Sequence, residues 1–483
     1  MVNRSCVQGD RLVSANVGQR PARRFQRYSA YKDSRVEWLG EIPAHWAVRR
    51  LKTFASARLS NVDKKSLEGQ EPVRLCNYVD VYYNERITGD LEFMAATATP
   101  EQVRTFALRA GDVLITKDSE SWTDIAVPAV VAESLPDVLC GYHLALIRPH
   151  DGYDGAFLVR AFAAVGLRDQ FQVAANGITR FGLGGDAIRA GLFAVPPLQE
   201  QRAIGAFLDR ETARIDALVA KKERLIELLQ EKRAALITRA VTTGLDPNVP
   251  MKDSGVEWLG QIPAHWNAKR LRRLVNSIEQ GWSPECENRE ADVDEWGVLK
   301  AGCINYGEFV GREHKALPST LKPIAALEVR QGDLLMSSRA SGSRDLVGSV
   351  AVVPMCRPRL LLCDKLFRLH VDDHESHKEF LAYAMNSRVT RSQIEVVTSG
   401  GSGLANNIAQ DVVKDLVVSL PPASEQAAIA VFLDRETARI DALAAKVRDA
   451  VARLKELRIT LISAAVTGKI DVHAAAEASG AAR

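Results

Sequence analysis

The sequence predicts a mixed α/β fold made twice over: two globular α/β domains, each followed by a long helix, with the two helices paired as a coiled coil. Three observations predict it. Glu37–Trp46 (EWLGEIPAHW) returns as Glu257–Trp266 (EWLGQIPAHW), with nine of ten positions agreeing at an offset of 220. Phe207–Leu218 (FLDRETARIDAL) returns unchanged as Phe432–Leu443, at an offset of 225. The residues between these blocks, 53–195 and 275–420, align poorly. A period above 200 residues excludes a solenoid of small units and points to duplication of a whole domain plus a helix. The frame is kept while the insert has changed, as expected of one scaffold reading two ligands.

Composition bounds the class. The 483 residues suffice for roughly two to four domains. With 46% hydrophobic and 25% charged residues and a net charge of +3, the chain reads as folded rather than disordered. No run of 18 apolar residues occurs, so a membrane span is not expected. The seven cysteines are odd in number, widely spaced and without a Cys-x-x-Cys pair. That fits neither a disulfide framework nor a zinc ribbon, and points to a reducing, cytoplasmic setting. Residues 1–30 carry Arg4, Arg11, Arg20, Arg23, Arg24 and Arg27 but no apolar stretch. This segment reads as a flexible basic arm or an over-extended start rather than a secretory signal.

The elements follow in order. The first domain is expected over residues 31–197. Within it, Arg74–Tyr82 and Asp112–Thr116 are β-branched runs bounded by turn residues, and Phe157–Phe171 is helical in pattern. Pro196-Pro197 blocks helix before itself and favours a start after it, giving a helix over 198–243. Gly244–Gly255, with Pro247 and Pro250, places a linker at 244–256. The second domain follows over 257–422, with a strand at Val347–Val353 and a helix at Lys378–Ile394. Pro421-Pro422 precedes a second helix over 423–467, and 468–483 is an Ala-rich tail expected to fray. Both domains keep a Gly-Asp-apolar-Leu element, Gly111–Leu114 and Gly332–Leu335.

In the first helix Ile215, Leu218, Lys222, Leu225, Leu229, Lys232 and Leu236 alternate steps of three and four. The copy gives Ile440, Leu443, Val447, Ala450, Leu454, Leu457 and Leu461. This is heptad spacing, and we read the stripes as one mutual seam. The alternative is that each stripe packs on its own domain. A 30-residue helix spans about 45 Å, about one turn of B-DNA plus a margin.

Catalytic motifs are missing from the sequence. There is no Walker A motif, no G-x-G-x-x-G after a strand and no G-x-S-x-G elbow. His370, His374 and His377 cluster, but His-Glu-Ser-His is not the zinc spacing H-E-x-x-H. The residues argue for a binding and scaffolding protein.

Taken together, several motifs resemble the specificity subunit of type I restriction–modification systems. They are the EWLG-IPxHW lead, the helix starts Pro196-Pro197-x-x-Glu200-Gln201 and Pro421-Pro422-x-x-Glu425-Gln426, the FLDRETARID helix and the Val-Thr-Gly exit. The resemblance covers residues 31–472. It implies that each variable region is a target recognition domain and each long helix a spacer. The halves would lie head-to-tail about a pseudo-two-fold, which makes the helices antiparallel. It implies no catalytic site and no cofactor on this chain. S-adenosylmethionine, ATP and Mg would sit on partners: DNA adenine methyltransferase subunits (two) and restriction/translocase subunits, all acting on double-stranded DNA, with no membrane involved. Because the variable regions differ, the DNA half-sites should differ, giving an asymmetric bipartite target.

Bulk charge does not announce a DNA binder. Residues 53–195 hold 13 Lys+Arg against 18 Asp+Glu, and 275–420 hold 16 against 20. Contacts must come from local loops. One candidate set follows each Gly-Asp-apolar-Leu element: Lys117, Ser119, Ser121 and Trp122, and Ser338, Arg339, Ser341, Ser343 and Arg344. The other precedes each Pro-Pro: Thr179 and Arg180 within Asn176–Phe181, and Asn406 and Asn407 within Ser399–Asn407. Arg suits guanine and Asn suits adenine at groove edges; the alternative is a solvated loop, and for Trp122 a core position. Trp38, Trp46, Trp258 and Trp266 read as structural. Arg210, Glu211, Arg214 and Asp216 recur as Arg435, Glu436, Arg439 and Asp441. Such identity fits a docking surface for two copies of one partner; the competing account is intramolecular ion pairs. Two other functions stay open: a stand-alone enzyme that modifies or cuts DNA, and a coiled-coil scaffold without DNA.

Overall fold

The computed structural model describes residues 25–305, 307–339, 347–372, 374–399 and 407–472. The chain divides into two compact units, Met1–Lys221 with Ala450–Arg483, and Lys222–Asp449. Both long helices, Leu198–Thr243 and Ala423–Val466, are therefore divided between the two units.

In the first unit, Tyr31–Asp33 pairs antiparallel with Glu41–Pro43, and Ala47–Arg50 with Leu192–Val195. A five-stranded sheet runs in the order Ala55–Leu59, Leu144–Pro149, Val113–Thr116, Pro128–Val131, Arg86–Ile87. A four-stranded sheet runs Met94–Ala98, Glu71–Cys76, Leu135–Cys140, Ala107–Leu108. Val113–Thr116 is buried at every position, because it is the central strand with layers on both faces.

The second unit repeats this plan. Met251–Asp253 pairs with Gln261–Pro263, and Asn267–Arg270 with Val417–Leu420. Its main sheet runs Val275–Gln280, Leu366–Val371, Leu334–Ser337, Val350–Val352. A smaller sheet runs His314–Ala316, Gly297–Leu299, Leu360–Leu361. The two sheets keep the arrangement of the first unit although the sequences align poorly, but among the described residues each has one strand fewer, four and three against five and four.

The shared Gly-Asp-apolar-Leu element explains how the frame survives. Gly111 and Gly332 sit at φ +87° and +83°, where a side chain would be strained. Asp112 accepts the Arg109 N–H at 2.9 Å and pairs with Arg148 at 2.7 Å. Asp333 accepts the Arg330 N–H at 2.9 Å and pairs with Arg368 at 3.3 Å. Each aspartate thus closes a turn and neutralises an arginine on the neighbouring strand.

The other repeated blocks form the helix junctions. Trp46 is fully buried and its Nε1 donates to Glu200 at 3.0 Å, while His45 Nε2 lies 2.8 Å from the same carboxylate. Trp266 and His265 repeat this on Glu425 at 3.1 and 2.9 Å. Gln201 and Gln426 each donate to the first proline carbonyl of their Pro-Pro, at 2.8 and 2.9 Å. The helix exits close on these leads. A Cβ on Gly244 would lie 3.2 Å from the Trp266 ring, and one on Gly468 only 2.2 Å from Pro43.

Within the first unit, Ile215 and Val219 pack with Val451 and Leu461, and Asp216 pairs with Arg458 at 3.0 Å. Within the second, Leu229 packs with Ile440 and Ala444, and Asp441 pairs with Arg233 at 3.1 Å. As residue number rises from 216 to 233 on one helix, the partner falls from 458 to 441 on the other, the register of an antiparallel pair.

Several expectations are corrected. The heptad period holds, but one of its two positions is shifted by one residue. Leu218, Leu225, Leu443 and Leu457 are 40–49% exposed. The seam takes Val219 and Ile226, and Ala444 and Val451, in their place. Arg233 and Arg458 continue it, since a long stem can lie in the seam and carry its charge out to an aspartate. Arg74–Tyr82 is not one strand. After Glu71–Cys76 the chain turns into a helix, Tyr78–Tyr83, because the Asn77 N–H donates to Asp80 in capping geometry. Phe157–Phe171 is two helices, Gly155–Ala163 and Asp169–Ala174, parted near Gly166 at φ +83°. Lys378–Ile394 is split at Ser387, whose hydroxyl bonds back to the Ala384 carbonyl. Met251–Asp253 is a strand inside the segment read as linker. Trp38 and Trp258 are partly exposed, unlike Trp46 and Trp266. Among the described residues, no helix is long and apolar enough to cross a membrane.

Candidate nucleic-acid interface

The two loop sets singled out from the sequence meet in each unit. In the first, Asp118–Ser119 pairs antiparallel with Phe181–Gly182, and the Leu183 N–H donates to the Lys117 carbonyl at 2.8 Å. In the second, Arg339 bridges Asn407, and the Ile408 N–H donates to the Ser338 carbonyl at 2.9 Å. The first set continues from a central strand, and the second is brought back to it by the short helix before the Pro-Pro. Segments over 60 residues apart thus become one edge.

Their side chains divide by role. Lys117 is largely buried: its Nζ pairs with Asp118 at 2.6 Å and sits 4.7 Å from the Tyr142 ring centroid. Ser119 is buried, with its hydroxyl 3.3 Å from that of Tyr78 and accepting the Ser121 N–H at 3.2 Å. Ser121 accepts the Thr123 N–H and caps the turn Trp122–Asp124. These three shape the loop. Trp122 is 52% exposed, which removes the core alternative. Thr179 and Arg180 are exposed, and Arg180 lies 3.1 Å from His143 Nδ1. In the second unit Ser338 is buried, while Arg339 and Asn407 face solvent. Ser341, Ser343, Arg344 and Asn406 lie outside the described residues.

Sequence reasoning missed part of this edge. His143 touches both Asp118, at 3.3 Å, and Arg180. Tyr78 and Tyr82 stack with centroids 5.5 Å apart, and Tyr82 reaches Asp124 at 3.4 Å. Tyr83 is exposed beside them. Aromatic rings that reach solvent suit the faces of nucleobases. Their i, i+4 spacing was a legible signal, hidden by reading the segment as a strand.

The repeated helix residues also separate. Arg210 and Arg214 lie 3.4 and 3.8 Å from Glu211, and Arg435 and Arg439 lie 3.0 and 2.8 Å from Glu436. All four arginines remain largely solvent-facing. Asp216 and Asp441 instead sit in the helix-pair ion pairs described above, so their recurrence is accounted for by the fold. Among the described residues, no group of three or more His, Cys, Asp or Glu is placed to hold a metal ion.

No family model matches the chain. It is 26% identical over 203 residues to the EcoEI type I restriction enzyme specificity subunit of Escherichia coli, covering 42% of this chain and 34% of that one. It is 26% identical over 288 residues to the EcoKI specificity subunit of Escherichia coli strain K12, covering 59% and 58%. The alignments thus span between a third and three-fifths of these relatives. A protein assigned as the MjaX type I restriction enzyme specificity subunit in Methanocaldococcus jannaschii is 24% identical, over 90% of this chain and 96% of its own. Among solved structures, a chain of a type I R-M system superposes with TM-score 0.64 at 18% identity, covering 88% of this chain and 98% of its own. The HsdS subunit from Thermoanaerobacter tengcongensis gives 0.51 at 17%, covering 89% and 98%. At such identities these likenesses concern the fold.

Proposed function

We propose that this chain, a specificity subunit of the type I restriction–modification family, reads an asymmetric bipartite DNA target and carries no reaction of its own. One observation supports this most: two units share a sheet frame, yet present different side chains at the same edge. Arg180, Trp122 and the tyrosines stand on one, and Arg339 and Asn407 on the other. Equal frames with unequal edges suit two unequal half-sites, the arginines addressing guanine and Asn407 adenine. Domains 31–197 and 257–422 are the recognition domains in this reading, and the helices over 198–243 and 423–467 set the unread gap.

The chemistry belongs to partners. Two DNA adenine methyltransferase subunits would dock on the exposed arginines Arg210, Arg214, Arg435 and Arg439, whose surroundings are the same in both copies. S-adenosylmethionine is bound there, and ATP and Mg by the restriction/translocase subunits. The compartment is the cytoplasm.

The test is single-molecule methylome sequencing of the host with this gene intact and deleted. Loss of one bipartite, asymmetric methyladenine motif on deletion is expected. An unchanged methylome, together with purified chain that captures no methyltransferase subunit, would overturn the proposal.

A further inference from the structure

We propose that a cleft in the second unit, beside Ser338 and Arg339, is a phosphodiester-binding site in which Lys315 and Lys365 hold the DNA backbone flanking the second half-site. This rests on the DNA-reading function above and deepens it. The cleft has a volume of about 500 Å³, and its polar lining includes Lys300, Lys315, Lys365, Glu313, Asp364 and Ser283. Three of these charges are already engaged. Lys300 Nζ lies 3.4 Å from Glu313, and the Asp364 carboxylate accepts the Ser283 hydroxyl. Lys315 and Lys365 are half-buried, and no carboxylate within ion-pair distance of either is described. Two ammonium groups lining one cleft without carboxylate partners make a local seat for an anion.

The cleft is tied to the reading edge through the backbone. The Ser338 N–H donates to the Lys365 carbonyl at 2.9 Å, and Ser338 in turn accepts from Ile408. The first unit has the same corner. There the Lys117 N–H donates to the His143 carbonyl at 3.0 Å. The turns match as well, Leu144 N–H to Gly141 and Leu366 N–H to Cys363, at 3.0 and 3.1 Å. Lys365 therefore occupies the place of His143, the group that touches Arg180. Two dissimilar sequences put a basic side chain at one structural position beside the loop. In a region with 16 Lys+Arg against 20 Asp+Glu, such a local source of positive potential answers how an acidic domain meets an anionic duplex. Lysine binds phosphate as a point charge without reading sequence.

The experiment uses the complex with its methyltransferase subunits, a duplex carrying the methylated motif, and a duplex with the second half-site scrambled. Affinity is measured against salt for the wild type and K315Q/K365Q. Two lost phosphate contacts should lower the log–log salt slope by about 1.8, so the fall in affinity between about 50 and about 200 mM salt shrinks by about twelvefold. Both duplexes should weaken, and K315R/K365R should restore the wild-type slope. An unchanged slope in K315Q/K365Q overturns the assignment, and so would a site for a free phosphate compound, because the slope counts phosphates of the duplex. A wild-type complex that fails to distinguish the two duplexes overturns the DNA-reading function itself, a separate outcome.

Discussion

Replacing Trp46 by phenylalanine tests the junction between the repeated lead and the first long helix. The substitution keeps a large ring but removes the indole N–H that donates to Glu200 at 3.0 Å. The Glu200 side chain is 7% exposed, so water cannot readily replace the donor. A lost hydrogen bond to a charged group costs about 1.5–3 kcal/mol, and the smaller ring adds about 1 kcal/mol of lost packing. W46F should therefore lose about 2.5–4 kcal/mol. The equivalent Glu425 is 31% exposed and can recruit water, so W266F should lose only about 2 kcal/mol. For units of this size each kcal/mol shifts the melting temperature by about 2–4 °C. Calorimetry would measure both losses, and hydrogen exchange at residues 198–212 and 423–437 would assign each to its helix start. A W266F variant as damaged as W46F would refute the argument that carboxylate burial sets the cost.

Three further outcomes are expected. V219D should destabilise the first unit by about 3 kcal/mol or more, because an unpaired carboxylate enters the seam, while L218D should cost under about 1 kcal/mol; equal urea midpoints would restore the unshifted register. Burial alone would raise the Glu85 pKa, but Arg160, 2.7 Å away, and Arg458 hold it below the usual carboxylate value. A carboxyl lowered on folding adds stability above its unfolded pKa, about 4.3, and loses it as pH falls through the folded value. E85Q should thus lower the urea midpoint at neutral pH and flatten its decline between about pH 5 and about pH 3; an acid profile identical to wild type would contradict this. In the methylome, R180A should relax base preference in one half-site and R339A in the other, each by about 1–3 kcal/mol of discrimination; loss spread over both halves would count against separate reading edges.

The duplication, the helix limits and the location of the variable loops were legible because they rest on local signals. A Pro-Pro stop, a glycine exit and a ten-residue repeat carry their meaning without the rest of the chain. The same holds for the loop sets, which flank a repeated element on one side and a repeated Pro-Pro on the other. Where the signals were local but ambiguous, the reading slipped. Tyr78–Tyr83 has strand-forming residues, yet one cap from Asp80 to the Asn77 N–H makes it a helix. The seam shows how far a pattern can go. The sequence contains the three–four alternation, but choosing Val219 over Leu218 depends on what lies opposite, and only packing supplies Val451 as its partner.

Tertiary structure alone decided which candidates reach solvent and which hold the loop. Lys117 and Ser119 look like contact residues beside Ser121 and Trp122, but they fall on the buried side of a strand pair formed with residues some 60 positions away. His143 and Lys365 carried no signal of their own, since one backbone hydrogen bond places each beside its candidate loop. The sequence by itself determined that one scaffold was built twice, with different inserts. The fold determined which side chains those inserts present, because burial and charge pairing are properties of neighbours that the chain brings together only when it closes.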